Sequence, residues 1–220
     1  MIEKQVASLA DAVADVADGA TVMIGGFGTA GLPNELVGAL LEQGAKNLTI
    51  VNNNAGNGDT GLAALLAARR VRKIVCSFPR QTDSHHFDRL YRSGEIELEL
   101  VPQGNLAERI RAAGAGIGGF FTPVGAGTLL ADGKEERVIE GVRHVLEEPI
   151  RADVALVYAA RADTLGNLWY RRTARNFNPL MATAATVTIA EAGEIVAAGE
   201  LEAESVVTPH LYVDRLVAGV

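Results

Sequence analysis

A chain of 220 residues with 48% hydrophobic residues can bury a sizeable core, which excludes a disordered chain. A net charge of −7 with only six Phe, four Tyr and one Trp argues against nucleic acid as a partner, for want of both field and stacking platforms. The single cysteine, Cys76, excludes an internal disulfide framework, and no apolar run approaches the ~18–20 residues of a membrane span; with no leader-like start, these features predict a cytoplasmic protein.

Residues 3–17 place Val6, Leu9, Val13 and Val16 at helical spacing, and Asp18-Gly19 makes a turn. TVMIG (21–25) is a short, uniformly apolar strand followed by glycines at 25, 26, 28 and 31. Pro33 suits the first position of a helix that runs through Leu40 and Leu41 and stops at Gly44. LTIV (48–51) is the second strand and ends in Asn52-Asn53-Asn54; a helix over about 60–70 leads to the third strand, VRKIVCSF (71–78). A helix at about 84–92 precedes EIELELV (95–101), whose period of two points Ile96, Leu98 and Leu100 inward. Helix 105–113, a glycine-rich stretch at 114–128, hairpin material over 138–170, a short helix near 178–184 and strands near 186–190 and 206–213 complete the chain. Apolar strands alternating with helices predict an α/β protein: an open, mostly parallel sheet with helices on both faces. No linker or repeat divides it, so residues 1–220 read as a single domain.

Gly26-Phe27-Gly28-Thr29-Ala30-Gly31 matches G-x-G-x-x-G between a strand and a helix. A dinucleotide site also needs an acidic residue about 20 positions on, and residues 43–58 contain no Asp. Neither do they contain Glu, so the loop does not read as a nicotinamide site. Two readings stay open: backbone N–H groups and the next helix N-terminus cradle an anion, or the loop is a tight turn without a ligand. Asn53, at the carboxyl end of a parallel strand, is either a turn former or an uncharged donor aimed into the ligand crevice. His85-His86 has no Cys or His partner at ligand spacing and reads as surface histidines, so no metal is expected. Cys76 reads as a small core residue. The basic run Arg69-Arg70-Val71-Arg72-Lys73 serves a helix dipole or, alternatively, phosphates. Arg80 in SFPRQ could grip a carboxylate bidentately.

GGFGTAGLP (25–33), NNAGNG (53–58), VPQGNLAERIRAAGAGIGGFFTPVGAGT (101–128), GKE (133–135) and ARNFNPLMATAA (174–185) together resemble the family I coenzyme A transferases, in their alpha (A) chain, over nearly the whole sequence. NNAGNGDTGLAALL (53–66) and CSFPRQ (76–81) resemble the branch that acts on 3-oxoadipate, in the breakdown of aromatic compounds; the acetoacetate branch is the near neighbour. The resemblance implies a fold shared with the sugar-phosphate isomerase-like superfamily. It implies that coenzyme A passes from succinyl-CoA to a 3-oxo acid, with the CoA thioester as substrate and no permanently bound cofactor. It also implies a B subunit whose S-E-N-G glutamate is the nucleophile. This chain has no S-E-N-G, and its Glu140-Gly141 reads as a polar turn. Carried over by position, Asn53 contributes to an oxyanion hole, Gln103 orients the partner's glutamate, and Gly25, Gly26, Phe27, Gly28, Thr29, Ala30 and Gly31 bind CoA. An isomerase or ligand-sensing regulator on the same fold would need an acidic base near the crevice or a DNA-binding module, and the sequence shows neither.

Overall fold

Short runs of β-branched and aliphatic residues pair with one another and build one central sheet. The computed structural model describes residues 3–219. In chain order the elements are α1 (Leu9–Val13), β1 (Thr21–Ile24), α2 (Asn34–Gln43), β2 (Leu48–Val51), α3 (Leu62–Ala67), β3 (Val71–Cys76), α4 (His85–Arg92), β4 (Glu97–Leu100) and α5 (Gln103–Gly114). They continue with β5 (Phe120–Thr122), β6 (Glu136–Ile139), β7 (Val142–Glu147), β8 (Ala152–Ala159), β9 (Arg161–Asp163), β10 (Leu168–Trp169), α6 (Asn178–Ala184), β11 (Ala185–Ala192), β12 (Ile195–Val196) and β13 (Arg215–Ala218). Seven strands form the main sheet in the order β13-β11-β8-β1-β2-β3-β4, every pair parallel. Two small three-stranded sheets, β10-β9-β12 and β5-β7-β6, are appended to it.

The main sheet feeds two cores, because successive side chains leave a strand by opposite faces. Val22, Ile24, Leu48, Ile50 and Ile74 join residues of α1 to α4 on one face, while Met23, Val51, Val75, Ala155 and Val157 meet Leu106 and Ile110 of α5 and Met181 of α6 on the other. The expected α/β arrangement with helices on both faces is therefore what the chain adopts.

Several local expectations are corrected. The helix expected over residues 3–17 is only α1, because Ser8 caps it by accepting the Asp11 N–H and the preceding residues run beside β13, with Gln5 bridged to Leu216. The sequence groups ADVALVYAA (152–160) with the hairpins; β8 instead lies in the middle of the parallel sheet between β1 and β11. Two hairpins do form in that stretch: β6–β7, turning at Glu140-Gly141 with positive φ at both residues, and the short antiparallel pair β9–β10, turning through the expected Leu165-Gly166-Asn167. Residues 206–213 do not form a strand: Pro209 leads a single 3-10 turn at His210–Tyr212, and the edge strand comes later as β13. Leu100 is 45% exposed rather than inward, since it ends an edge strand beyond the cluster that receives Ile96 and Leu98. Pro33 stands one place earlier than expected, as the residue capping α2.

Candidate functional site

Because β1 to β4 are parallel, their carboxyl ends open on one edge, and the loops that follow them meet there. A crevice of about 460 Å³ is lined by Phe27 and Gly28 after β1, Asn53 after β2, Ser77, Phe78 and Gln81 after β3, and Gln103 at the start of α5. Its polar side chains are all neutral, and no carboxylate is among its lining residues. Phe27 and Phe78 stand at its sides, 44% and 61% exposed. Another groove, of about 420 Å³, lies around Asp18, Gly19, Ala20, Asp153 and Val154 at the amino ends of strands, the wrong edge for a ligand in an open parallel sheet.

Asn53 is buried, and its amide Nδ2 donates to Ser77 Oγ at 3.0 Å and to Gln103 Oε1 at 3.3 Å. Its backbone carbonyl accepts the Ser77 N–H, the Phe78 N–H and the Ser77 hydroxyl, at 3.2, 3.1 and 3.2 Å. The structure thus brings together Asn53 and Gln103, the two candidate catalytic residues of the sequence, across 50 positions of chain. The neighbouring asparagines serve the turn. Asn52 Nδ2 donates to the Ile24 carbonyl at 2.6 Å and its Oδ1 accepts the Asn54 N–H, while Asn54 Oδ1 accepts the Gly56 N–H.

The glycine loop divides into parts. Gly25 packs against Asn178 so closely that a Cβ would lie 1.8 Å from its Oδ1; Gly31, at φ +69°, would meet the Ala174 carbonyl at 2.6 Å. Asn176 accepts the Gly26 N–H and donates to the Ala30 carbonyl, and Asn178 donates to the Gly31 carbonyl. Phe27 and Ala30 exchange backbone hydrogen bonds across the tip. Only Phe27 and Gly28 of this loop reach the crevice. Asn176 and Asn178 are what holds the loop. Nothing local in the sequence shows this role, since they lie about 150 positions away.

The reading of α2 as an open anion site is corrected. Glu191 of β11 already occupies that N-terminus, its Oε2 accepting the Glu35 and Leu36 N–H groups at 3.1 and 3.0 Å. Burial pushes the Glu191 carboxyl up to about 7; the Leu36 N–H opposes this, the Glu35 charge adds to it, and the Glu35 N–H opposes it again.

Arg80 is not brought into the crevice: its Nε pairs with Asp88 Oδ1 at 2.6 Å on the surface. The basic run lies at the far end of β3, engaged elsewhere. Arg69 pairs with Glu95, Arg70 donates to the Gly44 carbonyl at the end of α2, and Lys73 reaches Glu99 at 2.7 Å. Burial disfavours ionisation of Glu99, yet Lys73 and Arg109 outweigh it and hold that carboxyl below its usual range. Cys76 is a core residue whose thiol burial pushes up to about 12. Among the described residues, the side chains that could converge on a metal are Asp59, His85 and His86, with donor atoms within 4.8 Å of one another. Asp59, which sequence spacing does not connect with the histidines, is hydrogen-bonded to His86 and paired with His85, and Arg89 faces His86 Nδ1. His86 therefore presents an N–H, not a lone pair, to Asp59, and the group forms a hydrogen-bonded clasp.

An open parallel sheet with an uncharged amide-lined crevice at its carboxyl edge defines a class of α/β ligand-binding proteins. Within that class, the model of the coenzyme A transferase family matches residues 6–219, and the chain belongs to that family. It is 60% identical over 99% of its length to the A subunit of the 3-oxoadipate CoA-transferase of Pseudomonas putida, covering 94% of that protein. It is 50% identical over 98% of its length to the A subunit of a probable succinyl-CoA:3-ketoacid coenzyme A transferase of Bacillus subtilis, covering 90% of it. Among solved structures, an acyl-CoA transferase apoenzyme from Escherichia coli O157:H7 matches with a TM-score of 0.86 at 22% identity over 99% of this chain. The chain spans 47% of that longer protein, and the match bears on the fold alone.

Proposed function

We propose that the chain is the A subunit of a heteromeric CoA-transferase that moves coenzyme A from succinyl-CoA to 3-oxoadipate. The 60% identity across 99% of the chain to the corresponding subunit of the Pseudomonas putida enzyme carries the reading. In this reading the thioester carbonyl is attacked by a carboxylate of a partner B subunit. The oxygen becomes an oxyanion, the CoA thiolate leaves, and an acyl-enzyme anhydride forms. The thiolate then attacks the enzyme carbonyl, releasing succinate and leaving a glutamyl-CoA thioester; the acceptor acid reverses the sequence. The absence of a carboxylate from the crevice lining supports a nucleophile supplied by another chain.

Asn53 is the oxyanion donor in this scheme, and Gln103 orients the incoming carboxylate. Gly25 to Gly31 form the CoA-binding loop, with Phe27 and Gly28 in contact and the other glycines shaping it. The protein acts in the cytoplasm without a resident cofactor, and residues 1–220 work as one domain whose two cores share a sheet. Among the described residues no helix is long and apolar enough to cross a membrane.

The test is co-expression with a B chain and comparison of 3-oxoadipate with acetoacetate as acceptor. A preference for 3-oxoadipate is expected; a preference for acetoacetate would favour the second reading, which the Bacillus subtilis relative supports. Asn53→Ala is expected to lower kcat by about 10²–10³-fold with KM for succinyl-CoA nearly unchanged, as for a donor that acts in the transition state. Equal loss in binding and turnover would remove Asn53 from that role. Arg80 belongs to acceptor recognition only by exchanging Asp88 for the substrate's unreactive carboxylate. If Arg80→Ala leaves the acceptor preference untouched, it has no such part.

A further inference from the structure

The side-chain amides of Asn53 and Gln103 each have a donating and an accepting end, and an anion is stabilised only by the donating one. Something must decide which way each amide is turned. Ser77 stands at the start of the chain of contacts that does. Its hydroxyl donates to the Asn53 carbonyl at 3.2 Å. With its one proton committed there, Ser77 Oγ meets the Asn53 side chain as an acceptor, and Nδ2 lies 3.0 Å from it. The amide is thereby turned with its nitrogen toward Ser77, and its second N–H points at Gln103 Oε1, 3.3 Å away. That contact in turn places the Gln103 oxygen against Asn53 and leaves the Gln103 amino group facing away from it.

We propose that Ser77 is a positioning residue for the transfer reaction. It sets the polarity of the Asn53–Gln103 amide pair so that both present N–H groups to negative charge in the crevice. The contact to Ser77 is the one kept during reaction, and the longer contact to Gln103 is the one released when an oxyanion forms. The proposal rests on the reading of Asn53 as a transition-state donor. It extends that reading to a side chain whose own hydrogen is spent on the backbone.

The experiment uses the assembled enzyme, with kcat, KM for succinyl-CoA and thermal stability measured for Ser77→Ala, Ser77→Thr, Asn53→Ala and the Ser77/Asn53 double alanine. Ser77→Ala is expected to lower kcat about tenfold with KM within about twofold. Ser77→Thr, which keeps the hydroxyl, is expected to restore most of the rate. The double variant should be no slower than Asn53→Ala, because Ser77 acts through Asn53. In ¹⁵N spectra of the wild type, the Asn53 side-chain amide should exchange slowly, and Ser77→Thr should preserve this. The spectra keep the test decisive even if Ser77→Ala folds poorly. An unchanged kcat in Ser77→Ala, losses that multiply in the double variant, or a freely exchanging Asn53 amide in the wild type would overturn the proposal. If Asn53→Ala alone leaves kcat intact, the reading of Asn53 itself fails, an outcome distinct from a silent Ser77→Ala beside a damaged Asn53→Ala.

Discussion

Glu191 shows how one side chain can answer two demands at once. As a carboxylate at the α2 N-terminus it is welcome, and as a group only 4% exposed it is costly to ionise; burial wins and raises its proton affinity to about 7 from the ordinary 4.5. Between those values the folded chain keeps a proton that the unfolded chain has released. Stability from this group is therefore complete below about 4.5 and is lost as pH rises through about 7. Glu191→Gln keeps an oxygen for the two N–H groups and removes the titration. Urea unfolding at several pH values across this window should show wild-type stability falling with pH, by up to ~1.4 kcal/mol per unit, and a flatter profile for the variant. Identical slopes would mean that another group titrates. None of this is legible locally, because a Glu inside an apolar strand declares its partner only when β11 and α2 are placed side by side. Ser77 is hidden for the same reason, since its role shows only through an asparagine 24 positions earlier.

At the scale of elements, the strands with uninterrupted apolar runs are legible and the partners of those strands are not. TVMI and LTIV are buried on both faces, and their composition alone marks a doubly covered sheet. ADVALVYA has the same composition, yet it follows an antiparallel pair, and its neighbour β1 is more than a hundred residues away. Alternation in ELEL shows which side chains share a face but not how far the cover extends, hence Leu100. The glycine loop is legible as a turn, whereas its clamp is not. The clamp carries a prediction of its own. Gly31→Ala adds a methyl where φ is +69° and the Ala174 carbonyl stands at 2.6 Å, so the loop or the Arg172–Arg175 turn must move. A loss of about 1–3 kcal/mol is expected by denaturant unfolding. The same change at Gly28, also at positive φ but in open space, should cost less. Equal losses would show that backbone strain alone, without the clamp, accounts for the glycine at 31.

For the molecule as a whole, the crevice supplies dipoles and shape, and in the proposed function the reactive carboxylate comes from a second chain. Mass spectrometry of both chains after incubation with succinyl-CoA should find the CoA adduct on the partner alone. An adduct on any side chain of this polypeptide would contradict the division. The family and the pair Asn53 and Gln103 are readable because they sit in long motifs, and their convergence follows from parallel strands opening on a common edge. The position of β1 has one more consequence, for synthesis. It pairs with β2 on one side and β8 on the other, and β8 begins only at Ala152. A nascent chain that has emerged through β4 therefore displays β1 with one row of backbone donors and acceptors bare, an adhesive edge in a crowded cell. That edge gains its partner only when translation delivers β8. Ribosomes that stall in the stretch between β4 and β8 should release chains that aggregate, not a half-sized folded unit.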